Sequence, residues 1–316
     1  MAGKRCLYCC ESVPSGDFHP SCSRKFFGTS EPPEFPYALN EMHELANQVV
    51  QRSVSVTGVQ AKLSMDIETF KDTRKKRRLT IVGMWGQYVL KPPTESYPSL
   101  PEVEDLTMHI AGLLKIRTVP HSLIRIKSGE LAYITKRVDR VDGKKLHMED
   151  MCQLTERLTE DKYKGSMEQI GRIVKRFSDN RGFDLLEFFR LAVVSFFTGN
   201  ADMHLKNFSL LHANDGSVAL SPAYDIVATK LVLPEDTEEM ALTINGKKRN
   251  LRESDFREFS KSLDIPDVVY KNTLGEFAAL LPQASEFLIK DFLDESMRNS
   301  YKTLLEERSV RLGLRS

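Results

Sequence analysis

Apolar residues recur along this chain with two different periods. Up to about residue 140 they fall in short runs of β type. Residues 53–64 alternate β-branched and small polar side chains around one glycine, a pattern that predicts strand, tight loop, strand. Residues 85–92 form another strand, stopped by Pro92 and Pro93, and residues 121–127 and 131–138 give two more. Between them, Pro101-Glu102-Val103-Glu104 opens a helix over 105–114 whose acidic first turn suits the helix dipole. A Pro-rich connector at 31–36 and a helical stretch over 39–50 precede the β region. From about residue 146 the period becomes helical. Ile170, Ile173, Val174 and Phe177 mark one amphipathic helix, and the apolar run 185–197 is long enough to be a buried one. Residues 208–211, the turn Asn214-Asp215-Gly216 and residues 218–220 read as a hairpin, and residues 253–316 as largely helical, with apolar spacing in 277–281 and 287–292. The pattern predicts an α+β chain with pieces at 1–28, 29–140 and 141–316, β-rich in the middle piece and helical in the last.

A length of 316 residues, 41% hydrophobic and 28% charged, is that of an ordinary soluble globular protein with room for two lobes. No apolar run reaches membrane-spanning length and no signal segment precedes the first cysteines, so a cytoplasmic location is expected. A net charge of +1 argues against a protein that coats nucleic acid through bulk charge. The basic run at 71–78 reads either as a patch for RNA, DNA or an acidic partner or as a solvated hairpin tip. Four of the five cysteines lie in the first 22 residues, and Cys6, Cys9, His19 and Cys22 have the pairwise spacing of a four-ligand zinc site, with Cys10 as a spare thiolate. The alternative is a Cys-rich turn packed without metal. If zinc binds, its role is structural, since protein fills all four positions.

The candidate chemistry centres on the loop after the buried helix. Gly199 is a helix stop, and Asp202, His204, Lys206 and Asn207 follow it in a polar loop. An Asp five residues before an Asn is the spacing of kinase catalytic loops, in which the Asp accepts a hydroxyl proton and the Asn binds a metal ion. The hairpin then delivers Asp225, which with Asn207 offers oxygen ligands suited to Mg2+. Upstream, the loop with Gly58, Gln60 and Lys62 can present backbone N–H groups to the phosphates of ATP, although a plain hairpin would look the same. Lys91 ends a strand and pairs in the kinase manner with a carboxylate on the next helix, Glu104 ahead of Glu102; a surface ion pair is the alternative. The stretch from Lys136 to Val138 is where an adenine edge could meet backbone groups.

Taken together, Ser55-Val56-Thr57-Gly58-Val59-Gln60-x-Lys62, Val89-Leu90-Lys91, Val103-Glu104, Lys136 to Arg140, Glu149 to Gln153, the loop from Asn200 to Phe208 and Pro222-x-Tyr224-Asp225 resemble, in order, the HipA family of bacterial serine/threonine protein kinases, toxins of toxin–antitoxin systems. The resemblance implies a bilobed protein-kinase-like fold with a β-rich N-lobe and a helical C-lobe. It makes Asp202 the general base, and Asn207 with Asp225 the Mg2+ site. Lys91 holds phosphates, Lys136 to Val138 meet adenine, and His204 and Lys206 count among the nucleotide-binding residues. It also implies autophosphorylation of Ser55 or Thr57, with Ser53 a weaker candidate. The short segment ahead of the loop looks like the HipT type. The expected partners are then a HipB-like DNA-binding antitoxin and a small HipS-like protein supplying the N-terminal subdomain. The implied substrate is an aminoacyl-tRNA synthetase, tryptophanyl-type ahead of glutamyl-type. No direct contact with nucleic acid or membrane is expected. An ATP-dependent small-molecule kinase, or a pseudokinase binding nucleic acid or a repressor, are the competing readings.

Overall fold

The computed structural model describes residues 4–42, 44, 62–69, 77–82, 85–141 and 143–314. Gly58, Gln60, Ser53, Ser55, Thr57 and most of the basic run at 71–78 lie outside them. The chain divides into two units: residues 1–105, 119–137 and 290–292 make the first, and 106–118, 138–289 and 293–316 the second.

In the first unit, β1 (Leu63–Glu68), β2 (Arg78–Ile81), β3 (Tyr88–Lys91), β4 (His121–Arg125) and β5 (Leu131–Lys136) form one antiparallel sheet in the order β2-β1-β3-β5-β4. Register follows side-chain alternation. Leu63 and Met65 are buried, while Ser64 and Asp66, which alternate with them, are partly exposed, and Leu63 stands opposite Leu90. These residues pack with Leu79, Leu123, Ala132 and Ile134 onto Phe26 and Phe27 of α1 (Pro20–Phe27). The N-terminal segment supplies backbone partners to both sheet edges. The carbonyl of Leu7 accepts from the Leu123 N–H at 3.1 Å on β4, and Glu34 bonds to Arg77 and Leu79 on β2 at 2.9 Å each. Unsatisfied strand edges invite pairing with other chains, and this segment removes that exposure.

In the second unit α5 (Arg181–Phe197) is the hub. It follows α2 (Leu100–Leu113), α3 (Met151–Leu154) and α4 (Met167–Phe177) in the chain. Phe188 meets Phe208 and Phe259 edge-on, Phe189 meets Tyr270, and Phe196 meets Phe256 at 5.1 Å. Those partners lie on α7 (Glu253–Ser262) and α8 (Asp267–Phe287), apart from Phe208, which closes the loop of interest. Ser166 starts α4 in a capping box with Gln169, and Asp150 does the same for α3 with Gln153. A two-stranded ribbon, β6 (Arg140–Val141) with β7 (Lys144–Lys145), precedes a three-stranded sheet, β8 (Met148–Asp150), β9 (Ser209–His212) and β10 (Val218–Leu220), which runs in the order β10-β9-β8 and is followed by the short α6 (Thr229–Val232).

Several boundaries differ from the sequence expectation. The helix expected over 105–114 begins at Leu100. β5 stops at Lys136, so Val138 lies outside it. The region after residue 146 opens with β8 rather than a helix, because Met148, Glu149 and Asp150 pair with β9. Residues 288–293 are not helical: α8 ends at Phe287 and α9 (Glu295–Arg311) starts after the Asp294 cap. Residues 39–42 are helical as expected. No helix among the described residues is long and apolar enough to cross a membrane.

Candidate active site

α5 ends because Gly199 adopts φ 74°, where a β-carbon would meet Leu304 Cδ2 at 2.6 Å. The chain then turns into a tightly pinned loop. Asn200 is fully buried, and its Oδ1 accepts from the Asp202 N–H at 3.1 Å. The Ala201 N–H donates to Thr229 Oγ1 at 2.8 Å, and the Gly199 carbonyl accepts from the Lys230 N–H. The Asp202 carbonyl receives two bonds, from the His204 N–H at 2.8 Å and from Asn207 Nδ2 at 3.0 Å. Asn207 therefore spends its amide N–H on the loop and keeps its carbonyl oxygen as a lone-pair donor. The short 3₁₀ turn Leu205–Asn207, with Leu205 and Phe208 buried beneath, holds this register.

Asp225 reaches the same neighbourhood through the hairpin. The Ser221 N–H donates to Ser209 and the Ala223 N–H to Arg117, which fixes the chain leaving β10. The Tyr224 hydroxyl lies 2.5 Å from Ser209 Oγ and donates to the Lys206 carbonyl at 3.1 Å. Each metal-ligand candidate is thus the immediate neighbour of one end of that bond, Asp225 beside Tyr224 and Asn207 beside Lys206. Asp225 itself sits at φ 59°, a left-handed conformation that Asp tolerates and that clusters at functional sites. Burial pushes the Tyr224 hydroxyl above its ordinary value, against the Ser209 bond and together with the charge of Asp225.

His204 is buried and stacks edge-on with Tyr163 at 5.1 Å. Burial drives its imidazole below the ordinary value, although the charges of Asp202 and Asp225 both act on it in the opposite sense. Lys206 is paired with Asp150 at 3.1 Å. One group escaped the sequence reading: the Tyr163 hydroxyl donates to Asp202 Oδ1 at 2.6 Å. Burial and this bond raise its pKa, so the phenol stays a donor.

In the first unit, Lys91 Nζ lies 2.5 Å from Glu104 Oε1, with side-chain exposures of 5% and 0%. The Lys91 ammonium also stands 5.4 Å from the Tyr133 ring centre. Glu102, the reserve partner, is not in this pair; burial lifts its carboxyl to about 7. Lys62 is exposed just ahead of β1. Lys136 ends β5 with its N–H given to the Pro120 carbonyl at 2.9 Å, and burial lowers its pKa.

The donor set of Asn207 carbonyl and Asp225 carboxylate is hard and oxygen-only, the chemistry Mg2+ prefers. Asp202 and Asn207 are joined within one loop, and the bond from Tyr224 to the Lys206 carbonyl ties the residue before Asp225 to that loop.

Residues 54–285 match the model of the HipA-like C-terminal domain family. Among curated proteins, "Putative kinase Y4dM" of Sinorhizobium fredii is 30% identical over 79% of this chain, which spans 62% of that protein's length. A "Putative kinase" of Haemophilus influenzae is 26% identical over 83% of this chain and 82% of its own. Among solved structures, HipA of Shewanella oneidensis, in a toxin–antitoxin complex with HipB and operator DNA, superposes with a TM-score of 0.66 at 22% identity, covering 85% of this chain and 71% of its own. The proinflammatory kinase CtkA of Helicobacter pylori superposes with a TM-score of 0.50 at 14% identity, covering 78% and 93%. The fold is α+β and of the kinase-like type these two proteins share.

Proposed function

The chain belongs to the HipA-like C-terminal domain family, and from that premise we propose that it transfers the γ-phosphoryl group of ATP to a serine or threonine hydroxyl of a protein. The observation that carries this reading is the loop in which Asn207 bonds back to the Asp202 carbonyl and lies one residue from the Tyr224–Lys206 bond beside Asp225. Asp202 takes the proton of the acceptor hydroxyl as its oxygen attacks phosphorus, while the bond from phosphorus to the departing ADP oxygen breaks. Asn207 and Asp225 are the residues that would hold magnesium, which would supply neutralisation of the phosphate charge. Lys91, oriented by its ion pair with Glu104, is the lysine we assign to the nucleotide phosphates. His204 and Lys206 act by shaping the loop, since one is buried against Tyr163 and the other is bound to Asp150. Most of the rate enhancement then comes from positioning and charge neutralisation.

The biological setting is proposed on the same premise. The superposed HipA is held with HipB on operator DNA, which supports a toxin role for this chain and a HipB-like DNA-binding antitoxin as its partner. An aminoacyl-tRNA synthetase is the proposed substrate, tryptophanyl-type ahead of glutamyl-type. Autophosphorylation at Ser55 or Thr57 is the proposed brake, because a phosphate adds nearly two negative charges where nucleotide phosphates would bind.

Incubation of the full chain with magnesium, γ-labelled ATP and bacterial lysate tests the reading. Label on discrete protein bands as phosphoserine or phosphothreonine, absent with Asp202→Asn, is expected. Label confined to small molecules would instead make the acceptor a metabolite. No label anywhere would overturn phosphoryl transfer.

A further inference from the structure

Independently of the kinase reading, we propose that Cys6, Cys9, His19 and Cys22 bind one zinc ion that clips the N-terminal segment onto the edge of the five-stranded sheet. The four ligand atoms lie within 4.8 Å of one another, and all four belong to one unit. None of the three thiols is in a disulfide. His19 Nδ1 is 3.5 Å from Cys9 Sγ and 3.7 Å from Cys22 Sγ. A tetrahedron with zinc–sulfur bonds of about 2.3 Å and a zinc–nitrogen bond of about 2.0 Å requires nitrogen–sulfur separations of about 3.5 Å. His19 therefore already stands from Cys9 and Cys22 at the spacing an ion between them would impose.

Two further features point to a cation rather than to a turn packed without metal. His19 Nε2 lies 2.9 Å from the Ser12 carbonyl, so that nitrogen carries the proton and Nδ1 presents its lone pair to the sulfurs. Such a carbonyl partner behind the ring is the usual support of a metal-binding histidine. Cys6 is fully buried, and its sulfur is one of the four ligand atoms within 4.8 Å of one another. A buried thiolate needs a counter-charge, which a cation at the centre of the four groups would supply. His19 caps α1, and Cys22 stands in its first turn, where the helix dipole also favours negative charge. Three soft thiolates and one imidazole select zinc over magnesium or calcium, and four protein ligands leave no open position for catalysis.

The ion's role follows from what the segment does. Leu7, between the first two ligands, supplies the carbonyl that Leu123 and Ser122 of β4 both use. Val13, Phe18, Phe26 and Phe27, from the loop and helix carrying the other ligands, enter the core with Leu63, Leu90 and Ile134. α1 has eight residues, too few for a helix that stands without tertiary support. The metal supplies the crosslink that folds this hook over β4, so its binding energy becomes folding energy of the unit. Cys10 is outside the set; it is buried, and burial pushes its thiol up.

The test is metal analysis of the purified full chain. One zinc per chain is expected in the wild type and in Cys10→Ala, and loss of it in Cys9→Ala and Cys22→Ala. Exchange with Co2+ should give the visible absorption of tetrahedral cobalt with thiolate charge transfer, and chelation should lower the melting temperature. Should the ligand variants fail to fold, the wild type decides by itself: release of one zinc as its thiols are titrated with a mercurial supports the site. A folded wild-type chain with no stoichiometric metal, or with two of these cysteines in a disulfide, overturns it. Zinc lost from Cys10→Ala but kept in Cys22→Ala would do the same.

Discussion

Lys91 and Glu104 form an ion pair at 2.5 Å in which both side chains are almost wholly removed from water. Glu102 and Glu104 lie two residues apart on α2, which separates them by roughly 200° around the helix. Only one of the two can face Lys91. Breaking a buried pair from one side is far costlier than replacing both partners, because it strips one charge of its counter-ion. Lys91→Ala should destabilise the chain by roughly 3–5 kcal/mol, whereas Lys91→Met with Glu104→Leu should recover most of that loss. Both should lose ATP affinity, so denaturant midpoints beside nucleotide titrations separate the structural role from the functional one.

Asn207 and Asp225 should be read out through magnesium. In Asn207→Ala and Asp225→Asn, the magnesium concentration for half-maximal phosphoryl transfer should rise by about ten- to a hundredfold, the usual cost of disturbing a metal site. Asparagine is chosen at position 225 because it tolerates the φ of 59° found there. Unchanged magnesium dependence would remove these residues from the metal site.

Gly199 should resist substitution. At φ 74°, with Leu304 Cδ2 at 2.6 Å and Lys230 Cβ at 3.3 Å from an added β-carbon, Gly199→Ala must both strain the backbone and displace α9. A loss of about 1–3 kcal/mol is expected from strain and overpacking. Thermal unfolding measures it, and activity should fall with stability because the loop starts at this residue.

The buried carboxyl of Glu102 gives a pH signature. Burial, with a further push from the Asp105 charge, raises its pKa from 4.5 to about 7. A raised carboxyl contributes its full stability while protonated in both states. That contribution falls as pH climbs from about 4.5 through about 7, where the unfolded chain releases the proton first. Glu102→Gln should therefore be more stable than the parent near pH 8, by up to about 3 kcal/mol, with the gap closing towards pH 5. A gap that stays constant with pH would contradict the assignment.

What the sequence made legible was local. The loop that carries Asp202 and Asn207 could be located because an apolar helix long enough to be buried stops at a glycine, and the cluster of Cys6, Cys9, His19 and Cys22 because its members recur at short spacings. Glu104 could be named ahead of Glu102, but only the fold selects the helix face. Tyr163 left no trace, since its bond to Asp202 spans 39 residues and nothing around it is periodic. β8 was hidden for a related reason: three residues carry no alternation, and they become a strand only when β9 lies beside them. The closure of both sheet edges by Leu7 and Glu34 is likewise a long-range pairing that local pattern does not encode.

The central claim is that Asp202 is the proton acceptor of a phosphoryl transfer. The most direct measurement is the intact mass of the full chain after incubation with ATP and magnesium, for the wild type, Tyr163→Phe and Asp202→Asn. A gain of about 80 Da, one phosphoryl group, is predicted for the wild type. Tyr163→Phe should gain it at a rate within about tenfold of the wild type, since only one hydrogen bond is lost. Asp202→Asn should gain none over the same time, because losing the general base costs about a hundredfold or more. Phosphorylation of Asp202→Asn at the wild-type rate, or no gain in any of the three, would contradict the account.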